Sequence, residues 1–115
     1  MSTTMNHDLP RSATAADCVR LWTYLTTDYI PRLRLEVRMV TNAAGDSWMT
    51  VEVVDDSLVR EDGAEMINVW ASREFRNPLY LISVSQLFDL LIEAHKKMEL
   101  FFSIGTPHAP TLRRK

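Results

Sequence analysis

One cysteine, three glycines, five prolines and three histidines stand among 115 residues, and each scarcity removes a class of answer. A single thiol, Cys18, cannot close a disulfide within the chain, so the even sets of cysteines that staple small secreted domains are missing. Cys18 falls on the apolar side of a helical pattern, with only Arg20 as a nearby cation. A reactive thiolate needs an electropositive, partly exposed site, so the expectation is a structural cysteine. Three glycines cannot build a Gly-rich phosphate loop, and no P-loop or GxSxG elbow occurs. His7, His95 and His108 are scattered without CxxC, HExxH or a Ser-His-Asp spacing, so no metal, no cofactor and no enzyme are expected. No run approaches the ~18 apolar residues of a membrane span. Met1 to Pro10 has no basic stretch leading into an apolar one, so no signal peptide is expected. A formal net charge of −2 excludes a highly basic coat for DNA. These absences lead us to expect a cytoplasmic protein without a membrane partner.

What is present is an ordinary globular composition, 46% hydrophobic and 24% charged. The length suits one domain able to fold on a single core. The reading divides the chain into a flexible arm at 1–12, an α+β domain at 13–105 and a basic mobile tail at 106–115. Charge is unevenly placed. Residues 46–65 carry Asp46, Glu52, Asp55, Asp56, Glu61, Asp62 and Glu65 against Arg60, whereas Arg32, Arg34 and Arg38 surround Glu36. Such local fields, rather than the total, steer partners.

Thr14 and Asp17 form a capping box ahead of Cys18, Leu21, Trp22, Leu25 and Tyr29 at helical spacing. Pro31 disfavours helical backbone just before it, so a helix is expected over 15–28. Arg32 to Val40 alternates polar and apolar, as does Trp48 to Val54, and the turn-forming residues 41–45 join them as a hairpin. That loop pairs Val37 with Met49, Leu35 with Val51 and Leu33 with Val53 on the core side. On the other side it pairs Arg38 with Trp48, Glu36 with Thr50 and Arg34 with Glu52. Asp55 to Glu65 reads as a solvated acidic loop, without the ligand spacing of an EF-hand. Met66 to Ser72 reads as a third strand with Ile67, Val69 and Ala71 inward, and Leu79 to Ile82 as a short fourth. Asn77-Pro78 marks a turn between them. Ser83 and Gln86 cap a second helix whose apolar stripe runs from Val84 to Phe102 and includes His95; Gly105 and Pro107 end it.

The fold class expected is therefore α+β, with an N-terminal helix, a three- or four-stranded antiparallel sheet, and a C-terminal amphipathic helix packed on one sheet face. The αβββα order is similar to that of the double-stranded-RNA-binding domain. That family's lysine cluster at the start of its last helix has no counterpart in Ser83 to Phe88. The face turned away from the expected core gathers Arg32, Arg34, Arg38, Trp48, Asn68, Trp70 and Tyr80 as candidate binding residues. Arginines among large aromatics suit a protein hot spot, or a platform for single-stranded DNA or RNA whose bases stack on the rings. If the face is instead covered, Arg38 would shield Trp48 by a cation–π contact. The leading expectation is a small non-catalytic binding module acting through protein–protein contact, as an adaptor, an inhibitor or a homodimeric regulator. The alternative is a single-stranded nucleic-acid binder.

Overall fold

A computed structural model describes residues 12–76 and 79–115, so most of the expected arm at 1–12 and the expected Asn77-Pro78 turn lie outside the described residues. Both helices open by the same device. The Thr14 hydroxyl accepts from the Asp17 amide at 3.2 Å while the Asp17 carboxylate accepts from the Thr14 amide at 2.9 Å, and α1 (Ala15–Asp28) follows. Ser83 and Gln86 repeat the exchange at 3.1 and 2.8 Å ahead of α2 (Val84–Ser103). Each pair satisfies two backbone donors that a helix start otherwise leaves unpaired. Cys18 and Leu25 of α1 join Leu90, Leu91, Ala94 and Met98 of α2 in one core cluster. The sheet contributes Met49, Val51, Val53, Ala71 and Phe75 to the same cluster, so both helices lie on one side of it. Complete burial of a leucine such as Leu25 or Leu90 contributes about 1.5–3 kcal/mol.

The sheet is antiparallel in the order β1 (Arg34–Thr41), β2 (Ser47–Glu61), β3 (Ala64–Phe75), β4 (Thr111–Arg114). The β1–β2 hairpin forms as expected but two residues out of register: Val37 opposes Val51 rather than Met49, and Glu36 opposes Glu52 rather than Thr50. An even displacement keeps every side chain on its face. The cause lies in the turn. The Asn42 side chain accepts from the amides of Ala44 and Asp46 at 3.0 and 2.9 Å, which starts the loop one residue later than expected, and Gly45 takes φ +89°.

Three expectations are corrected by the outer parts of the sheet. The acidic segment 55–65 is not a loop: β2 and β3 continue through it as a hairpin arm. Asp62 and Gly63 turn that arm with φ +51° and +77°, the condition of a two-residue type I′ connection. Leu79 to Ile82 forms no strand. The fourth strand comes from the expected mobile tail, where a 3₁₀ turn at Thr106–His108 leads into β4, and Thr111 opposes Val69 while Arg114 opposes Met66. Four residues with two adjacent arginines are too short to show a period of two, yet they pair with Met66 to Val69 on the outer edge of β3.

The largest departure is at Trp70. Val53 opposes Ala71, but the next residue, Val54, opposes Val69, so Trp70 is an extra residue in β3. Such a bulge shifts the alternation by one. Ala71 stays on the helix side, whereas Val69 and Ile67 pass to the opposite side and form a second small core with Val54. Trp70, expected outward, is 4% exposed: its ring stacks on Phe102 at 6.1 Å and meets Phe101 edge-on at 5.7 Å. Its Nε1 donates to Asp55 at 2.7 Å. Trp70→Ala should therefore cost about 3–5 kcal/mol of folding free energy by urea denaturation. Trp48, half-buried beneath a guanidinium, should lose only about 1 kcal/mol of cation–π attraction together with its partial packing. Equal losses at the two tryptophans would contradict the bulge.

Candidate functional site

The side of the sheet away from the helices holds a connected set of charges. Arg34 donates to Glu36 at 2.8 Å and pairs with Asp56 at 3.1 Å. Arg38 pairs with Glu52 at 3.2 Å. Arg113 of β4 reaches back over the sheet to Glu36 at 2.6 Å and Glu52 at 2.8 Å. Lys115 lies 3.6 Å from both Asp56 and Glu65. Glu52 is buried at 4% exposure, which is tolerable only because two guanidiniums face its carboxylate. Arg34 and Arg38, expected to present charge to a partner, are thus matched by carboxylates on their own face. Arg113, which bridges two strands, was missed because its segment read as a tail.

The seven candidate residues do not form one patch. Arg34 and Arg38 share the charged face, and Arg32 is exposed ahead of β1. Trp48 opposes Val40 at the end of that face, and the cation over its ring, 4.1 Å from the centroid, is Arg76 rather than Arg38. Asn68 and Trp70 lie on the helix side, where both donate to Asp55 Oδ1, at 3.2 and 2.7 Å. Tyr80, at φ +51°, packs half-buried against the helix-side core.

Two further clusters hold chemistry-bearing groups. His95 of α2 meets Tyr24 and Tyr29 edge-on at 5.3 and 5.7 Å, and its Nε2 lies 3.8 Å from a Glu99 oxygen. The hydrogen bond with Tyr24, aided by burial, pushes the Tyr29 hydroxyl up to about 12. These rings join the end of α1 to α2. The Cys18 thiol donates to the Val84 carbonyl at 3.6 Å, and burial, with Asp17 adding to it, pushes its pKa up and so disfavours the thiolate. Among the described residues no three His, Cys, Asp or Glu side chains are placed to hold a metal ion. None of the described helices is long and apolar enough to cross a membrane.

The feature that sequence reasoning missed is the edge of β1. Leu35 and Val37 were expected in the core, yet they are 40% and 62% exposed, and Met39 on the same face is 57% exposed. The helices cover β2 and β3 and stop short of β1. Beside Leu35 an apolar groove of about 250 Å³ opens between the helices, lined by Cys18, Val19, Trp22, Leu87 and Leu91. The eight residues of β1 pair with β2 without a bulge and include neither proline nor lysine. The opposite edge, β4, has four residues, with Arg113, Arg114 and the adjoining Lys115. Short length and positive charge are how natural sheets discourage further pairing; β1 is twice as long, and its two arginines lie on the opposite face from its apolar row.

The charged face makes stability depend on pH. Burial alone would raise the Glu36 carboxyl, but the hydrogen bonds from Arg34 and Arg113 outweigh it and hold it below its usual range. The hydrogen bond from Arg34 lowers Asp56 likewise. Carboxyls depressed in the folded chain stabilise it above their unfolded pKa values, near ~4, and that contribution is lost as pH falls through the folded values. The denaturation midpoint should hold from about pH 7 to about pH 5 and then fall below about pH 4, less steeply in Glu36→Gln. A Glu36→Gln profile parallel to that of the unaltered chain would contradict this account of the network. Comparison of the chain with protein-family models, with curated proteins and with solved structures finds no match.

Proposed function

We propose that this chain is a non-catalytic binding module that works by protein–protein contact, with the β1 edge as its docking surface. The observation that carries the reading is the eight-residue edge whose apolar row, Leu35, Val37 and Met39, is left exposed among the described residues. An incoming strand would pair its backbone with the free N–H and C=O groups of β1, and its alternate side chains would cover that row and reach the groove at Cys18, Trp22 and Leu87. Strand addition of this kind takes affinity from main-chain hydrogen bonds and specificity from alternate side chains. The face suits a regulator or adaptor whose contact is made by backbone and apolar surface, with the charged side setting the register.

Single-stranded nucleic acid is the weaker reading. Arg34, Arg38 and Arg113 already face carboxylates, and Trp70 lies under Phe102 rather than open to a base. A binder of that class needs cations free to track phosphates and rings free to stack.

Val37 is exposed and lies in the middle of β1, so Val37→Lys should leave the fold intact while placing an ammonium in the apolar row. Tagged full-length chain, unaltered or Val37→Lys, would be recovered from cells that also express an untagged copy. Polypeptides bound to the unaltered chain, the untagged copy included, should fall at least about tenfold on the variant, a loss of ~1.4 kcal/mol in binding. Equal recoveries on both baits would overturn the reading.

A further inference from the structure

We infer that the strand docking on β1 is β1 of a second copy of this chain, paired antiparallel about a two-fold axis at Val37. The inference rests on β1 being the docking edge. Directly opposed residues of an antiparallel pair point to the same face. A symmetric β1–β1 pair can therefore be centred only on a residue, and the centre decides which charges meet.

Centred on Glu36, the pair sets that carboxylate against its own copy and Arg34 against Arg38. Centred on Arg38, it sets two guanidiniums against each other. Centred on Leu35, it opposes Arg34 to Glu36 but overlaps the strands only over 34–36. Centred on Val37, it spans 34–40, nearly the whole of β1, and opposes Glu36 to Arg38 twice. The same centre sets Leu35 against Met39 of the second copy, twice, and Val37 against itself, so all six exposed apolar side chains close into one ladder. Like charges directly opposed are unfavourable and opposite charges favourable, and a centre at Met39 avoids the clash but overlaps only 37–41, so charge and overlap together select Val37. Arg38 is partly exposed, with its guanidinium on Glu52, and can reach the seam without leaving the charged face.

The two-fold keeps both pairs of helices on one side of a continuous eight-stranded sheet. The apolar grooves at Cys18 and Trp22 then lie on either side of the seam, continuous with the ladder. At each outer edge of that sheet the four residues of β4, two of them arginine, cover Met66 to Val69 of β3, which leaves a shorter and more basic edge there than at β1 and favours two copies over continued growth.

Purified full-length chain should show by light scattering a mass twice the 13.2 kDa of one copy, falling to one copy on dilution. Val37→Lys should be monomeric with unchanged far-ultraviolet circular dichroism. Glu36→Lys and Arg38→Glu should each be monomeric alone, because each sets like charges across the seam. Mixed, they should form a heterodimer, because the introduced ammonium then faces the introduced carboxylate while the native Arg38 of one chain faces the native Glu36 of the other. A monomeric unaltered chain at every concentration would overturn the second copy. If Val37→Lys still lost a different bound polypeptide from the cell, docking at β1 would stand without self-pairing. A dimer that survives Val37→Lys would place the interface elsewhere and overturn the inference, and a mixture that stays monomeric while both variants keep the circular dichroism of the unaltered chain would overturn the register.

Discussion

Between Val53 and Val54 of β2, β3 carries Trp70 as one residue more than the pairing needs, and that surplus residue turns half the strand over. Below the bulge, Ile67 and Val69 would have faced the helices; above it, Ala71 and Phe75 do. The inversion gives each face what it needs. On the helix side, the indole fills the space under Phe101 and Phe102 at the end of α2, and Asp55 satisfies its Nε1. On the other side, Val54, Ile67 and Val69 make an apolar floor where a strict alternation would have placed Asn68 and Trp70 beside Val54. A sheet covered by helices on one side thus has a small core on the other.

That second core explains the charges beside it. β4 brings Arg113 opposite Ile67, and from there the guanidinium reaches Glu36 and Glu52 on the first two strands. An arginine covers apolar surface with its stem while its head stays with carboxylates. Three arginines and three carboxylates, Arg34, Arg38 and Arg113 with Glu36, Glu52 and Asp56, balance within this face. Depressed carboxyl pKa values and a buried Glu52 are consequences of the one arrangement. The near-neutral total charge of the chain therefore reflects local pairing on the face rather than an absence of charged surface.

Much of this was legible in the residues. Both capping boxes, the helix boundary set by Pro31 and the alternation of β1 and β2 follow from short-range rules, and the structure forms them where those rules place them. The parity of the hairpin was also legible, because a one-residue slip would have inverted its faces; its register was not, because Asn42 chose where the loop begins. The Trp70 bulge was hidden for a different reason. Val-Trp-Ala alternates as well with the indole outward as inward, and only the aromatic pair at Phe101 and Phe102, some thirty residues later, decides. The Asp62-Gly63 turn was a readable hairpin signal overshadowed by the acidic residues around it. The β1 edge was misread because apolar alternation reports a face that can be buried, and the described residues leave this one exposed.

The two edges of the sheet therefore differ in kind. β4 is short, basic and bound into the face through Arg113. β1 is long and regular, with its apolar residues on one face and charges of alternating sign on the other. Three uncovered apolar side chains on a flat edge are ordinarily an aggregation hazard, since any strand of similar pattern could add there. The sequence of β1 narrows that promiscuity. Facing parity excludes half of the registers, and the order Arg34, Glu36, Arg38 penalises the centres that bring like charges together. At the other edge the paired stretch is half as long, and Arg114 and Lys115 stand beside it. A long regular edge on one side and a short basic one on the other would favour a closed pair, since a chain equally open at both edges would build a fibre.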